Sequence, residues 1–157
     1  MVAPRVYLET SVVSYLTGRP SRDLVTLGRQ HLTREWWDQR RSAFRLFISQ
    51  FVVTEAAAGD PEAARGRLAA LEHLPLVILT QETRNLARAL IGEGSIPPKA
   101  AVDAFHIASA VSGGADFLLT WNFRHLANAS LRKGIETVCV SSGYQPPTIC
   151  TPEELMG

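Results

Sequence analysis

Short apolar runs recur along this chain at intervals that leave room for a helix between them. Val6-Tyr7-Leu8, Leu46-Phe47-Ile48, Leu76 to Leu79 and Phe117 to Thr120 are each of strand length, and longer stretches with helical spacing separate them. Strands spaced in this way cannot be joined by tight hairpins. They need crossover connections, and crossovers produce a parallel sheet with helices on both faces. The expected fold class is therefore α/β, a three-layer α/β/α sandwich around a central parallel sheet.

The segments between the runs can be read in turn. Ser11 to Leu16 opens a helix capped by Thr10 or Ser11, and Gly18-Arg19-Pro20-Ser21 breaks it. Asp23 to about Phe44 is helical, with Leu24, Leu27, Leu32, Trp36 and Phe44 apolar and Arg29, Arg34, Arg40 and Arg41 polar. Phe51 to Ala58 is a short helix ended by Gly59-Asp60-Pro61, followed by helices over Pro61 to Leu74 and Glu82 to Ile91, the latter stopped by Gly92 and Gly94. Pro97-Pro98 starts a helix that runs to about Ser112 and closes on Gly113-Gly114, and Thr137 to Val140 reads as the last strand. Without a linker, repeat or low-complexity segment, residues 1–157 are expected to form a single domain.

Composition excludes several classes. A formal charge of +1 gives no global attraction for polyanions, so any contact with nucleic acid must come from a local patch. The cysteines, Cys139 and Cys150, have neither zinc-site spacing nor the density of a disulfide scaffold, and are expected to be free thiols. Glu9 interrupts the first apolar run, and no segment approaches the ~20 apolar residues of a membrane span. A cytoplasmic protein with no membrane partner is expected, where the sequon Asn128-Ala129-Ser130 carries no meaning.

Glu9 ends the first strand and precedes a second apolar run, a place where a buried carboxylate is costly unless something positive pairs with it. In a parallel sheet the functional crevice lies at the carboxyl ends of the strands. Glu9, Glu55 and Asn122 all follow apolar strands closely, and Asp103 joins them from a helix start, where the dipole favours a carboxylate. Converging carboxylates persist by holding protons or by binding a divalent cation. Hard oxygen ligands suit Mg2+ or Mn2+, which can supply hydroxide and stabilise charge on a phosphate, making phosphodiester hydrolysis the natural chemistry.

These residues carry a family resemblance. Tyr7-Leu8-Glu9-Thr10-Ser11-Val12-Val13 resembles the opening strand motif of PIN-domain proteins, and Val53-Thr54-Glu55 matches their second acidic position. Asp103-Ala104-Phe105-His106-Ile107-Ala108 is similar to the third acidic motif, and Asp116-Phe117-Leu118-Leu119-Thr120-Trp121-Asn122-Phe123 to the strand that follows it. The likeness extends over nearly the whole chain, with Pro152-Glu153-Glu154 closing a tail that resembles one bacterial branch related to VapC toxins.

The resemblance implies a PIN-like sandwich and a Mg2+- or Mn2+-dependent endoribonuclease that cleaves single-stranded RNA. It further implies the toxin half of a type II toxin–antitoxin pair, with an antitoxin protein as partner and a homodimeric state. Carried over residue by residue, Glu9 and Asp103 are the metal ligands, Glu55 completes the cluster directly or through water, and Asn122 is the fourth position. Glu9 and Asn122 both stand where the family commonly has Asp. Glu9 adds one methylene, at most about 1.5 Å of reach, and Asn122 can offer a neutral oxygen or orient a water. A second reading follows from these departures: a PIN-like module with weakened turnover that binds RNA or a protein.

Supporting roles are expected of further residues. Ser11 can hold a carboxylate or a metal-bound water, or cap the helix. Asp116, at the other end of its strand, reads as structural, and Arg124 stands beside the crevice as a phosphate contact. His106, one turn on from Asp103, reads as a packed residue, since imidazole is a poor match for Mg2+. The basic stretch from Arg29 to Arg45 reads as a solvated face with Trp36 and Trp37 turned inward. A phosphatase with an aspartyl nucleophile lacks the required Asp, and no Gly-rich nucleotide loop is present.

Overall fold

The computed structural model describes residues 2–93 and 95–157. Its centre is a five-stranded sheet: β1 (Arg5–Leu8), β2 (Arg45–Ser49), β3 (Leu76–Val77), β4 (Phe117–Leu119) and β5 (Thr148–Cys150). All neighbours pair in parallel in the order β3-β2-β1-β4-β5. The order reverses between β1 and β4. The chain winds outward from β1 to β3, then crosses back over β1 to start again at β4. Right-handed crossovers put the helices of the two halves on opposite faces.

Among the described residues seven α-helices connect the strands: α1 (Thr10–Thr17), α2 (Leu24–Gln39), α3 (Gln50–Ala56), α4 (Pro61–Leu71), α5 (Gln81–Gly92), α6 (Ala101–Ser112) and α7 (Ala129–Ser141). Helix α1 packs on α2, α3 and α4, while α5 packs on α6 and α7, giving the two outer layers of an α/β/α sandwich. The central strands are buried on both faces, while the short edge strand β3 leaves Leu76 exposed. Tyr7, Leu8, Ile48, Leu118 and Leu119 are essentially inaccessible, each contributing roughly 1.5–3 kcal/mol from its buried apolar surface. Among the described residues no helix is long and apolar enough to cross a membrane.

Helix α6 ends as its glycines require. A Cβ on Gly113 would lie 2.2 Å from the Phe47 ring, and Gly114 adopts a φ of +66° that side chains disfavour. Both cysteines are free and buried, and burial pushes their thiols up to about 11 for Cys139 and about 12 for Cys150.

Several boundaries differ from the sequence reading. The cap of α1 is Glu9 itself, whose side chain accepts from the Ser11 N–H. Helix α2 ends at Gln39, and a 3-10 turn over Arg41–Ala43 follows, which frees Phe44 to lead into β2. Helix α4 stops at Leu71, and β3 is only two residues long. Thr137 to Val140 is helical rather than a strand. Asn128 caps α7 by accepting from the Ser130 N–H, and Ile135, Val138 and Cys139 then share one buried face at helical spacing. The last strand is Thr148–Cys150, which the Pro146-Pro147 pair feeds into the sheet edge. Trp36 is fully buried against Phe44, while Trp37 is only partly buried beneath Arg41. Gly94, expected to help stop α5, lies outside the described residues.

Candidate active site

The β1–β4 register pairs Leu8 with Leu119, so Glu9 and Thr120 leave the sheet side by side at its carboxyl edge, at the reversal of strand order. That is where an open parallel sheet forms a crevice. Glu9 is only 5% exposed. Its carboxylate accepts from the Ser11 N–H at 3.1 Å, from the Ser11 hydroxyl, and from the Thr120 hydroxyl at 2.6 Å. Each hydroxyl is oriented from behind: Trp121 N–H donates to Ser11 Oγ at 2.8 Å, and Asn122 N–H to Thr120 Oγ1 at 2.9 Å. With a backbone donor on each, both hydroxyls are free to donate to Glu9, and they lie 3.4 Å from each other.

Glu55 reaches the same space from the last turn of α3. Its Oε1 accepts from the Thr10 hydroxyl at 2.6 Å and lies 2.6 Å from His106 Nε2. His106, fully buried on α6, places its other ring nitrogen 2.7 Å from the Tyr7 hydroxyl, which in turn lies 2.8 Å from Ser49 Oγ. Partial burial pulls the Glu55 carboxyl up. The hydrogen bond and charge of His106, together with the Thr10 hydroxyl, more than offset it and hold Glu55 below the usual carboxylate range. Burial in turn pushes the Tyr7 phenol well above its ordinary value, so it remains a proton donor.

Glu9, Glu55 and His106 each present a ligand atom within 4.8 Å of the others, a cluster able to coordinate a divalent cation. Among the described residues no Lys or Arg ion-pairs with Glu9, Glu55 or Asp103. The donors are mainly hard carboxylate oxygens, which fits Mg2+ or Mn2+. His106 entered the cluster although its sequence reading was a packed residue. Both descriptions apply: its nitrogens are engaged by Glu55 and Tyr7, so in this arrangement it orients Glu55.

Asp103 is placed differently from its sequence expectation. It lies outside the three-residue cluster and is held from the β4–α7 connection. Asn122 Nδ2 donates to one carboxylate oxygen at 3.2 Å, and His125 Nδ1 lies 3.1 Å from the other. The Asn122 oxygen accepts the backbone N–H groups of Arg124 and His125, both at 3.1 Å, which fills its two lone pairs. Asn122 therefore orients Asp103 rather than offering an oxygen to the crevice. Bonds through Asn122 and Thr120 join Asp103 to Glu9.

Arg124 is exposed beside this connection. Asp116 lies at the opposite, amino end of β4, where it accepts from the Arg5 N–H at 2.8 Å, apart from the cluster. Thr10, Thr120, Tyr7 and His125 were missed by sequence reasoning. Thr10 and Thr120 flank motif residues directly, and strand-end threonines next to acids are the signal that was available.

This fold and site define a three-layer α/β/α sandwich with an acidic cluster at the switch point of its parallel sheet. No family model and no curated protein sequence matches the chain. Solved structures do. VapBC-1 from nontypeable Haemophilus influenzae matches with a TM-score of 0.58 and 14% identity, covering 95% of this chain and 98% of that one. VapBC2 from Rickettsia felis, bound to a DNA fragment from their promoter, matches with a TM-score of 0.53 and 14% identity, covering 94% and 98%. At this identity the shared property is the fold.

Proposed function

We propose that this chain is a Mg2+- or Mn2+-dependent endoribonuclease acting on single-stranded RNA, and the toxin component of a type II toxin–antitoxin system. The observation that carries the reading is the convergence of Glu9 and Glu55 at the switch point with, among the described residues, no lysine or arginine paired to either. Likeness of fold to two VapBC structures supports it. Glu9 and Glu55 would hold the ion, with Asp103 completing the set, and when bound the ion supplies a hydroxide and stabilises charge on the phosphate. The chain's own contribution is positional. Ser11 and Thr120 fix Glu9, Thr10 and His106 fix Glu55, and Asn122 and His125 fix Asp103. An antitoxin covering the cleft, a homodimer, a single domain and a cytoplasmic site of action belong to the same proposal.

Purified protein incubated with single-stranded RNA and Mn2+ tests it. Cleavage that EDTA stops and that Asp103→Ala removes is the expected result. Intact RNA, with Glu9→Asp failing to produce cleavage, would overturn it. The second reading, a binding module with weakened turnover, is favoured by one observation: the Asn122 amide, not a carboxylate, faces Asp103. RNA binding without cleavage in the same assay would select it.

A further inference from the structure

The aromatic side chains of one cluster beside the acids make no hydrogen bond to them. Trp121 is 4% exposed and fixed on three sides: its N–H donates to Ser11 Oγ, its indole Nε1 donates to Thr33 Oγ1 at 2.8 Å, and its ring stacks on Tyr15 at 5.9 Å. Phe123, two residues on, lies with its ring 6.0 Å from that of Trp121 and is 42% exposed. From α2, the Arg29 guanidinium sits 4.5 Å from the centre of the Phe123 ring and 5.8 Å from that of Trp121. Among the described residues this guanidinium makes no ion pair and no side-chain hydrogen bond. Asn122, which holds Asp103, separates Trp121 from Phe123.

We propose that Phe123 and Arg29 form a nucleotide subsite on one flank of the acidic pocket, Phe123 stacking an unpaired base and Arg29 contacting a phosphate of the same single strand. The inference rests on the ribonuclease reading and names the part of the substrate that reading leaves unassigned. An acidic pocket repels phosphates, so a strand drawn across it has to be gripped from the sides by positive groups. Arg29 is such a group. A guanidinium lying on an aromatic ring keeps its planar edge of N–H donors free for phosphate oxygens. Arg29 covers one face of Phe123, and the exposed remainder of its ring is what a base can stack on, which suits a strand read without base-edge contacts. Because Trp121 is pinned by the same Ser11 hydroxyl that holds Glu9, the platform and the acids are set in one register.

Fluorescence anisotropy of a short labelled single-stranded RNA, in EDTA so that it stays intact, tests the subsite. Phe123→Ala and Phe123→Leu are expected to weaken binding by roughly 5- to 100-fold, and Phe123→Tyr to keep it within about 3-fold. The leucine variant retains apolar bulk, so its loss cannot come from unfolding, which thermal melts check independently. Arg29→Gln is expected to reduce the slope of log Kd against log salt by about 0.7, one phosphate contact on a single strand.

Wild-type affinity in Phe123→Leu, or an unchanged salt slope in Arg29→Gln, would overturn the proposal. So would a Phe123→Leu chain that keeps its RNA affinity but loses self-association, which makes the platform a protein interface. The two readings fail separately. Phe123-dependent binding without Mn2+-dependent cleavage removes the nuclease and leaves the subsite, whereas cleavage without Phe123 dependence removes the subsite and leaves the nuclease.

Discussion

The paired strands β1 and β4 carry an acid at each end, and the chain treats the two in opposite ways. At the carboxyl end, Glu9 is buried among hydroxyl donors that are themselves pinned from behind, with Glu55 converging on it. At the amino end, Asp116 is exposed and accepts the first N–H of the opposing strand, Arg5, whose guanidinium donates to the Gly113 carbonyl. A cavity of about 590 Å³ opens beside Asp116 and Tyr144, yet it gathers no second acid. Space alone does not locate chemistry here. What separates the ends is whether several elements deliver acids to one point where, among the described residues, no Lys or Arg pairs with them.

The largest expected effect contrasts the two ends directly. Glu9→Ala and Asp103→Ala should each lower Mn2+-dependent RNA cleavage by at least roughly 100-fold, the upper range of what losing a ligand's mere supporting partner costs. Asp116→Ala should stay within about 3-fold of wild type in the same assay, since its one bond serves a strand end. Equal losses at both ends would break the comparison.

A second effect concerns the hydroxyls that aim Glu9. Thr120→Val removes its 2.6 Å bond to the carboxylate while keeping shape, and Ser11→Ala removes another. Titration calorimetry should show Mn2+ affinity falling by roughly 10- to 100-fold for each. Unchanged affinity would mean that the hydroxyls cap a helix and nothing more.

These hydroxyls mark the boundary of what the sequence could disclose. Four of the five strands were legible because each lies in an apolar run and the crossovers between them have helical spacing, and Glu9 was legible because an acid ending such a run is costly. Thr120 was not, since its contact with Glu9 depends on the β1–β4 register, which pairs residues more than a hundred positions apart. His106 illustrates the same limit: on its own helix it is one turn from Asp103, yet the fold turns it toward Glu55 and Tyr7. Thr137 to Val140 misled for a local reason. Thr-Val-Cys-Val favours a strand by composition, but the Asn128 cap and the buried helical face decide otherwise.

A third effect is a pH dependence that the carboxyl end should show through Glu55. Its carboxyl is held below the usual range in the folded protein, so the unfolded chain binds more protons as pH falls. The stabilisation is therefore complete above the unfolded carboxyl's range and is lost as pH falls through the folded value. Thr10→Val removes one of the bonds that lower it. The gap in urea stability between wild type and Thr10→Val should be full near neutrality and close in acid. With the Glu55 side chain 39% exposed, solvent screening limits that gap to about 1 kcal/mol. A gap that widens in acid would contradict the assignment of that bond to the charged form.

The smallest expected effect returns to the amino end. Asp116→Ala leaves the Arg5 N–H without its acceptor, but that group lies at an exposed strand end where water can replace the lost carboxylate oxygen. The cost should be about 1 kcal/mol or less, read as a small drop in Tm. Thr120→Val should cost more, about 1–3 kcal/mol, because the Thr120 hydroxyl is fully buried and its loss takes one of two hydroxyl partners from the Glu9 oxygen and the side-chain partner from the Asn122 N–H. If the order of these two costs were reversed, the carboxyl end would be the more hydrated of the two. Glu9 would then be held by solvent as much as by the protein, and the case for a pocket prepared for a cation would rest on Glu55 alone.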